Sequence, residues 1–121
     1  MSRLAALQQQ ICTLGPDVDG RVAWPQALAL AAAVDVTDLH VEPTVDGARI
    51  RARHHGELHE LGTWSVGVRD RMVMSLKNLS GMTAYVHSRP QDGRVQIEGI
   101  SARAATLPVL HGEKVTIRLL A

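Results

Sequence analysis

Phenylalanine is absent from the 121 residues, tyrosine occurs once and tryptophan twice. A core must therefore come from Leu, Val, Ile, Ala and Met. A stacking platform for single-stranded nucleic acid has almost no aromatic faces to draw on. Cysteine occurs once, at Cys12, which excludes an internal disulfide and any multi-cysteine zinc site. With nothing nearby in sequence to lower its pKa, Cys12 reads as a small buried hydrophobe of a reducing compartment. No apolar run reaches the roughly 18 residues of a membrane span; the best candidate, residues 27–34, is short and rich in alanine. The opening Met1-Ser2-Arg3-Leu4 lacks the layout of a signal peptide, so the chain reads as cytoplasmic. An excess of one charge is missing too: 13 Lys and Arg against 12 Asp and Glu leave +1, too little to imply nucleic acid or a membrane surface.

What is present changes period along the chain. Leu4, Leu7, Ile11 and Leu14 recur at helical spacing and predict a helix over 3–14, broken by Gly15-Pro16. Asp17 to Gly20 reads as a polar turn. Its spacing resembles the start of a calcium loop, but Val22 to Pro25 supply no further ligands. Pro25 fits the first turn of a second, Ala- and Leu-rich helix through 34. From Asp38 the period becomes two: strands over 38–43, 48–54 and 57–61 are joined at Asp46-Gly47 and Gly56, and residues 62–67 form a loop. Val68, Met72, Leu76 and Leu79 predict a helix over 66–79 stopped by Gly81, with Lys77 mostly off its apolar stripe. After a loop over 82–93, three more alternating runs follow, around Val95 and Ile97, Ala102 and Ala104, and Val115 to Leu119, with Leu107-Pro108 ending the second. Two strand meanders separated by a helix predict an α+β domain, a mainly antiparallel sheet of about six strands with helices packed on one face.

Enzymatic machinery is hard to assemble from these residues. No serine has an elbow motif around it, and no G-x-x-x-x-G-K-[ST] phosphate loop occurs. His54, His55 and His59 are close in sequence, but adjacent strand residues point to opposite faces and no metal-site spacing accompanies them, so no metal is expected. Glu113, in the turn His111-Gly112-Glu113-Lys114, is placed to pair with a nearby arginine at small net gain.

The arginines are patterned. Arg49, Arg51 and Arg53 alternate with Ile50 and Ala52, Arg103 sits between Ala102 and Ala104, and Arg118 follows Ile117. Arg94 stands at the mouth of a strand. The sheet face away from the helices should carry a set of guanidiniums, always charged and shaped for phosphate or carboxylate. A wet sheet face accounts for the same alternation without a ligand.

Several segments match a known pattern. Thr37-Asp38-Leu39-His40-Val41-Glu42-Pro43 resembles the Ser-Asp-Ile-His-Ile-Glu-Pro signature of the GspE/PulE/PilB secretion ATPases, the hexameric motors of type II secretion and type IV pilus assembly. Arg49 to Arg53 followed by Gly56-Glu57-Leu58 is similar to the family's Arg-x-Arg-x-Arg-x-Asp-Gly-x-Leu stretch. Arg89-Pro90-Gln91-Asp92-Gly93-Arg94 resembles its Pro-Gln-Asp-Gly-Arg turn, and the segments from Arg103 to Pro108 and from His111 to Leu120 resemble those that follow. His55 stands where the family has Asp, and Ser101 where it usually has Asp.

The resemblance implies a PAS-like domain over 25–121, preceded by a helix and linker over 1–24, with the motor domain and its Walker motifs absent from this sequence. It implies a non-catalytic domain that packs on a neighbouring subunit's motor and turns Arg94 and Arg103 toward the nucleotide bound there. Arg49, Arg51, Arg53 and Arg118 are secondary candidates on the same basic face. ATP and magnesium would be met only through that motor, and no cofactor is expected to be bound by the isolated chain, a monomer or weak dimer. Its place would be the cytoplasm, at the inner-membrane face through a secretion or pilus machine. The alternative is a stand-alone adaptor or regulator that binds a motor ATPase or another partner without touching nucleotide. Neither reading involves nucleic acid.

Overall fold

The computed structural model describes residues 3–120. Three helices, α1 (Ala5–Cys12), α2 (Gly20–Ala33) and α3 (Val66–Leu79), accompany six strands: β1 (Val36–Thr44), β2 (Gly47–His54), β3 (Glu57–Ser65), β4 (Gln91–Ile97), β5 (Ile100–Val109) and β6 (Gly112–Leu120). The strands form one antiparallel sheet in the order β3-β2-β1-β6-β5-β4. The α+β architecture is the one the two meanders predict. Leu39, Val41, Ile50, Ala52, Ala102, Ala104, Val115 and Ile117 are all buried on one face, against the helices. The side chains alternating with them form the open face.

With no phenylalanine, the two tryptophans are the large aromatic side chains of the core. Trp24 of α2 and Trp64 of β3 meet edge to face with ring centroids 6.1 Å apart. Each buried indole N–H finds a carbonyl: Trp24 Nε1 donates to Met72 of α3 at 2.7 Å, and Trp64 Nε1 to Ile11 of α1 at 3.0 Å. The pair thereby ties all three helices to the sheet, since a buried indole left unbonded would cost free energy.

Several boundaries differ from those read in the sequence. α2 begins at Gly20 rather than Pro25, because Asp19 is its N-cap and accepts from the backbone N–H of Arg21. Pro25 lies inside the helix. Gly20 is needed there, since a Cβ would stand 2.2 Å from the Cβ of Ser75 on α3. β3 runs on to Ser65, beyond the predicted end at residue 61. A bulge between Ile50 and Arg51 shifts its phase, so that Leu61 and Trp64 are both buried and the period of two is broken in between. β5 continues through Pro108, which pairs with Glu113 of β6. β4 ends its pairing at Thr106, so Pro108 has a neighbour on one side only, where a missing N–H is tolerated.

Cys12 is exposed rather than buried, because it sits at the rim where α1 covers the outer edge of β3. Its Sγ donates to the Leu61 carbonyl at 3.1 Å, and Gln8 Nε2 donates to that of Glu60 at 3.1 Å. Carbonyls that would otherwise line an open edge are thus satisfied by α1.

Candidate functional site: an arginine row on the open face

The strand register places a line of charge across the sheet. Arg94 of β4 stands opposite Arg103 of β5, Arg103 opposite Arg118 of β6, Arg118 opposite Asp38 of β1, and Asp38 opposite Arg53 of β2. Like charges directly opposite one another destabilise a sheet. This row sets three guanidiniums side by side and supplies one carboxylate, which two arginines share. Arg118 Nε approaches Asp38 Oδ1 at 3.3 Å, and Arg53 Nε lies 3.9 Å from Oδ2.

The candidate arginines divide into two groups. Arg49 pairs with Glu60. Arg51 grips Glu42 with Nε at 2.9 Å and Nη2 at 2.6 Å, which holds the Glu42 carboxyl below its ordinary range. Arg53 also donates to the Gly56 carbonyl. These three belong to the sheet's own cross-strand network. The guanidinium groups of Arg94 and Arg103 have no carboxylate, carbonyl or hydroxyl partner among the described residues. Together with Arg118 they wall a concavity of about 390 Å³. Asp92, Ala105 and Thr116, the next cross-strand row on the same face, line it as well. A cleft with three forked cations on one wall suits an anion with several oxygens, such as a polyphosphate.

The turn leading into β4 shows why these residue types stand at these positions. Gln91 takes a backbone N–H from Thr83 on its Oε1, and its Nε2 donates to the carbonyls of Thr83 and Val86, folding residues 83–91 back on themselves. Gly93 allows β4 to press on the end of α3, since a Cβ there would lie 2.1 Å from the Ser80 carbonyl oxygen. That oxygen accepts the backbone N–H of Arg94 at 3.3 Å. Gln91 and Gly93 thus fix the backbone from which Arg94 projects.

A second cluster lies on the helical side. Lys77, expected off the apolar stripe, is fully buried. Its Nζ lies 2.6 Å from Glu113 Oε1 and donates to the Val86 carbonyl at 2.6 Å. Glu113 is also buried, and His87 Nδ1 sits 3.0 Å from its Oε2. So Glu113 pairs with a lysine and a histidine rather than with an arginine. The sign was available in the pleat: Glu113, Val115 and Ile117 alternate, which puts Glu113 on the inward face.

His54 and His55 do not point to opposite faces. His55 takes a left-handed backbone conformation (φ 51°) at the β2–β3 turn, which swings its ring to within 4.0 Å of that of His54, centroid to centroid. His59 lies 5.9 Å from His54. Among the described residues no three His, Cys, Asp or Glu side chains converge in a way that could hold a metal ion. No described helix is long and apolar enough to cross a membrane.

The model of the family described as type II/IV secretion system protein matches residues 24–121. The chain belongs to that family. It is 40% identical over 88 residues to the protein transport protein HofB homolog of Escherichia coli K12, covering 69% of this chain and 19% of that protein. It is 36% identical over 89 residues to the type IV pilus assembly ATPase PilB of Pseudomonas aeruginosa, covering 69% and 16%. With PilB of Thermus thermophilus it shares 33% identity over 99 residues, covering 78% and 11%. The matched region is therefore a small part of these secretion and pilus-assembly proteins, and the family match over residues 24–121 contains the whole arginine row.

Proposed function

We propose that this chain is a non-catalytic domain of a secretion or pilus-assembly ATPase, one that packs on a neighbouring motor domain and turns Arg94, Arg103 and Arg118 toward the phosphates of the nucleotide held there. The observation that carries this reading is the pair Arg94 and Arg103, opposed across two strands and without counterions among the described residues, beside a cleft of polyphosphate size. Such a pair costs stability in isolation and gains it when an anion enters. Preorganised cations aimed at developing phosphate charge act as an arginine finger does. Nothing in the 121 residues forms a Walker A loop, so hydrolysis is assigned to the motor. The relatives' names support an ATPase setting. Arg118 joins the two motif arginines through the register. The corresponding place in the cell is the cytoplasmic face of the inner membrane.

The test is the ATPase rate of a family motor domain joined or mixed with this chain. Arg94→Ala and Arg103→Ala are each expected to lower the rate about tenfold or more, with association between domain and motor kept. A second reading, a stand-alone adaptor that binds a motor without meeting nucleotide, is favoured by the apolar rim of Met74, Val109 and Leu110 at the α3 and β5–β6 end of the domain. Intact hydrolysis and intact binding in both arginine variants would select it.

A further inference from the structure

We infer that Asp38 is the positioning residue of the arginine row: it holds Arg118 by Nε and leaves both terminal guanidinium nitrogens to the bound anion. This rests on the reading of the row as a phosphate-facing site.

The geometry is specific to one end of the guanidinium. The hydrogen bond runs from Arg118 Nε to Asp38 Oδ1 at 3.3 Å, and neither Nη atom has a partner among the described residues. The Arg118 side chain is 71% exposed while that of Asp38 is 11% exposed. The exposed partner is thus the arginine and the shielded one the carboxylate. Asp38 is fixed from its other side as well, since its Oδ2 accepts the Thr37 hydroxyl at 2.9 Å. The bulge between Val36 and Asp38 places Thr37 beside it. Without Asp38, Arg118 would have only Arg103 as its cross-strand neighbour on that side of the sheet, and repulsion would turn it away from the cleft. Asp38 is not itself at the cleft, which is lined from β4, β5 and β6.

A positioning role and a simple charge effect predict opposite signs. If Asp38 only adds a negative charge near an anion site, removing it strengthens anion binding, about two- to threefold at low salt. If Asp38 orients Arg118, removing it weakens binding despite the gain in positive charge.

The experiment is a titration of the chain with inorganic tripolyphosphate at low ionic strength, followed by NMR of the arginine Nε–H signals. Asp38→Ala is expected to bind about five- to tenfold more weakly, in line with loss of one charge-assisted hydrogen bond. Asp38→Asn, which keeps a neutral acceptor, should recover part of that loss. Glu42→Gln, which removes the same charge from a carboxylate committed to Arg51, should bind equally well or more tightly. In an Arg118→Ala background Asp38→Ala should cause no further loss. Tighter binding by Asp38→Ala, with Arg118→Ala still weakened, overturns the inference and leaves the phosphate-facing site standing. No response of Arg94, Arg103 or Arg118 in the unaltered chain overturns both. Should Asp38→Ala fail to fold, hydrogen exchange in the unaltered chain decides: the Arg118 Nε–H must exchange more slowly than those of Arg94 and Arg103, and equal rates refute the inference.

Discussion

Lys77 of α3 and Glu113 of β6 form an ion pair in which the lysine is fully buried and the two charged atoms lie 2.6 Å apart. It bridges the helical layer to the sheet, and through the Val86 carbonyl and His87 it also ties down the segment that leads into β4. A buried pair is weak support for net stability, yet losing one partner strands the other. Lys77→Met is expected to destabilise the domain by about 3–5 kcal/mol in urea unfolding, and Lys77→Met with Glu113→Leu by clearly less. Equal losses in the single and double variants would mean that the pair is not coupled.

Arg103 has an arginine on either side of it. Replacing it with glutamine should therefore raise the melting temperature of the isolated chain by about 2 °C at low salt, with the gain shrinking as salt is added. Arg51→Gln should lower it, because Glu42 loses a two-point partner. The opposite signs on one sheet face separate arginines kept for a partner from arginines that serve the fold. A fall in melting temperature for Arg103→Gln would contradict the strain assigned to the row.

Gly93→Ala should be among the most damaging small substitutions in the domain. Its Cβ would meet backbone, the Ser80 carbonyl oxygen, rather than a side chain able to rotate away. Overpacking of this kind costs about 1–3 kcal/mol, measurable by thermal unfolding. Amide exchange at Arg94 should speed up more than exchange in β6, since the Arg94-to-Ser80 bond is what the methyl group disrupts. Uniform changes across the sheet would argue against that local account.

His40 gives the fold an acid-side dependence. Burial holds its pKa below the ordinary 6.5; Asp38 and Glu42 oppose that shift, and Lys114 and Arg51 add to it. Its Nε2 is buried with no hydrogen-bond partner among the described residues. The unfolded chain takes up the proton more readily than the folded one, so stability should fall as pH drops through 6.5 and level off below the folded value. His40→Gln should remove that step from a plot of unfolding free energy against pH. The separate loss from Glu42, whose folded value is depressed below 4.5 by Arg51, should remain at lower pH. A step that survives in His40→Gln belongs to another group.

Much of this is legible in the sequence alone. The helix over 66–79 and the alternation of Val115, Ile117 and Leu119 follow from spacing alone, because a regular element repeats its burial at its own period. The same alternation put Arg49, Arg51, Arg53, Arg103 and Arg118 on the face away from the helices. Where a bulge or a turn broke the period, as at Gly62 and His55, reading by period misplaced the strand end and the ring.

By itself, then, the sequence determined the α+β class, the family through its ordered motifs, and the sheet face that carries the arginines. Only the tertiary structure decided which arginines are free. Strand order and register are long-range facts: they bring Glu42 to Arg51, Glu60 to Arg49 and Asp38 to Arg118, and they leave Arg94 and Arg103 facing each other. A charge's partner lies on a neighbouring strand and not at a fixed spacing along its own, so pairing cannot be read from any one stretch of sequence. The burial of Lys77 has the same cause, since the carboxylate that makes it tolerable arrives from β6, far along the chain.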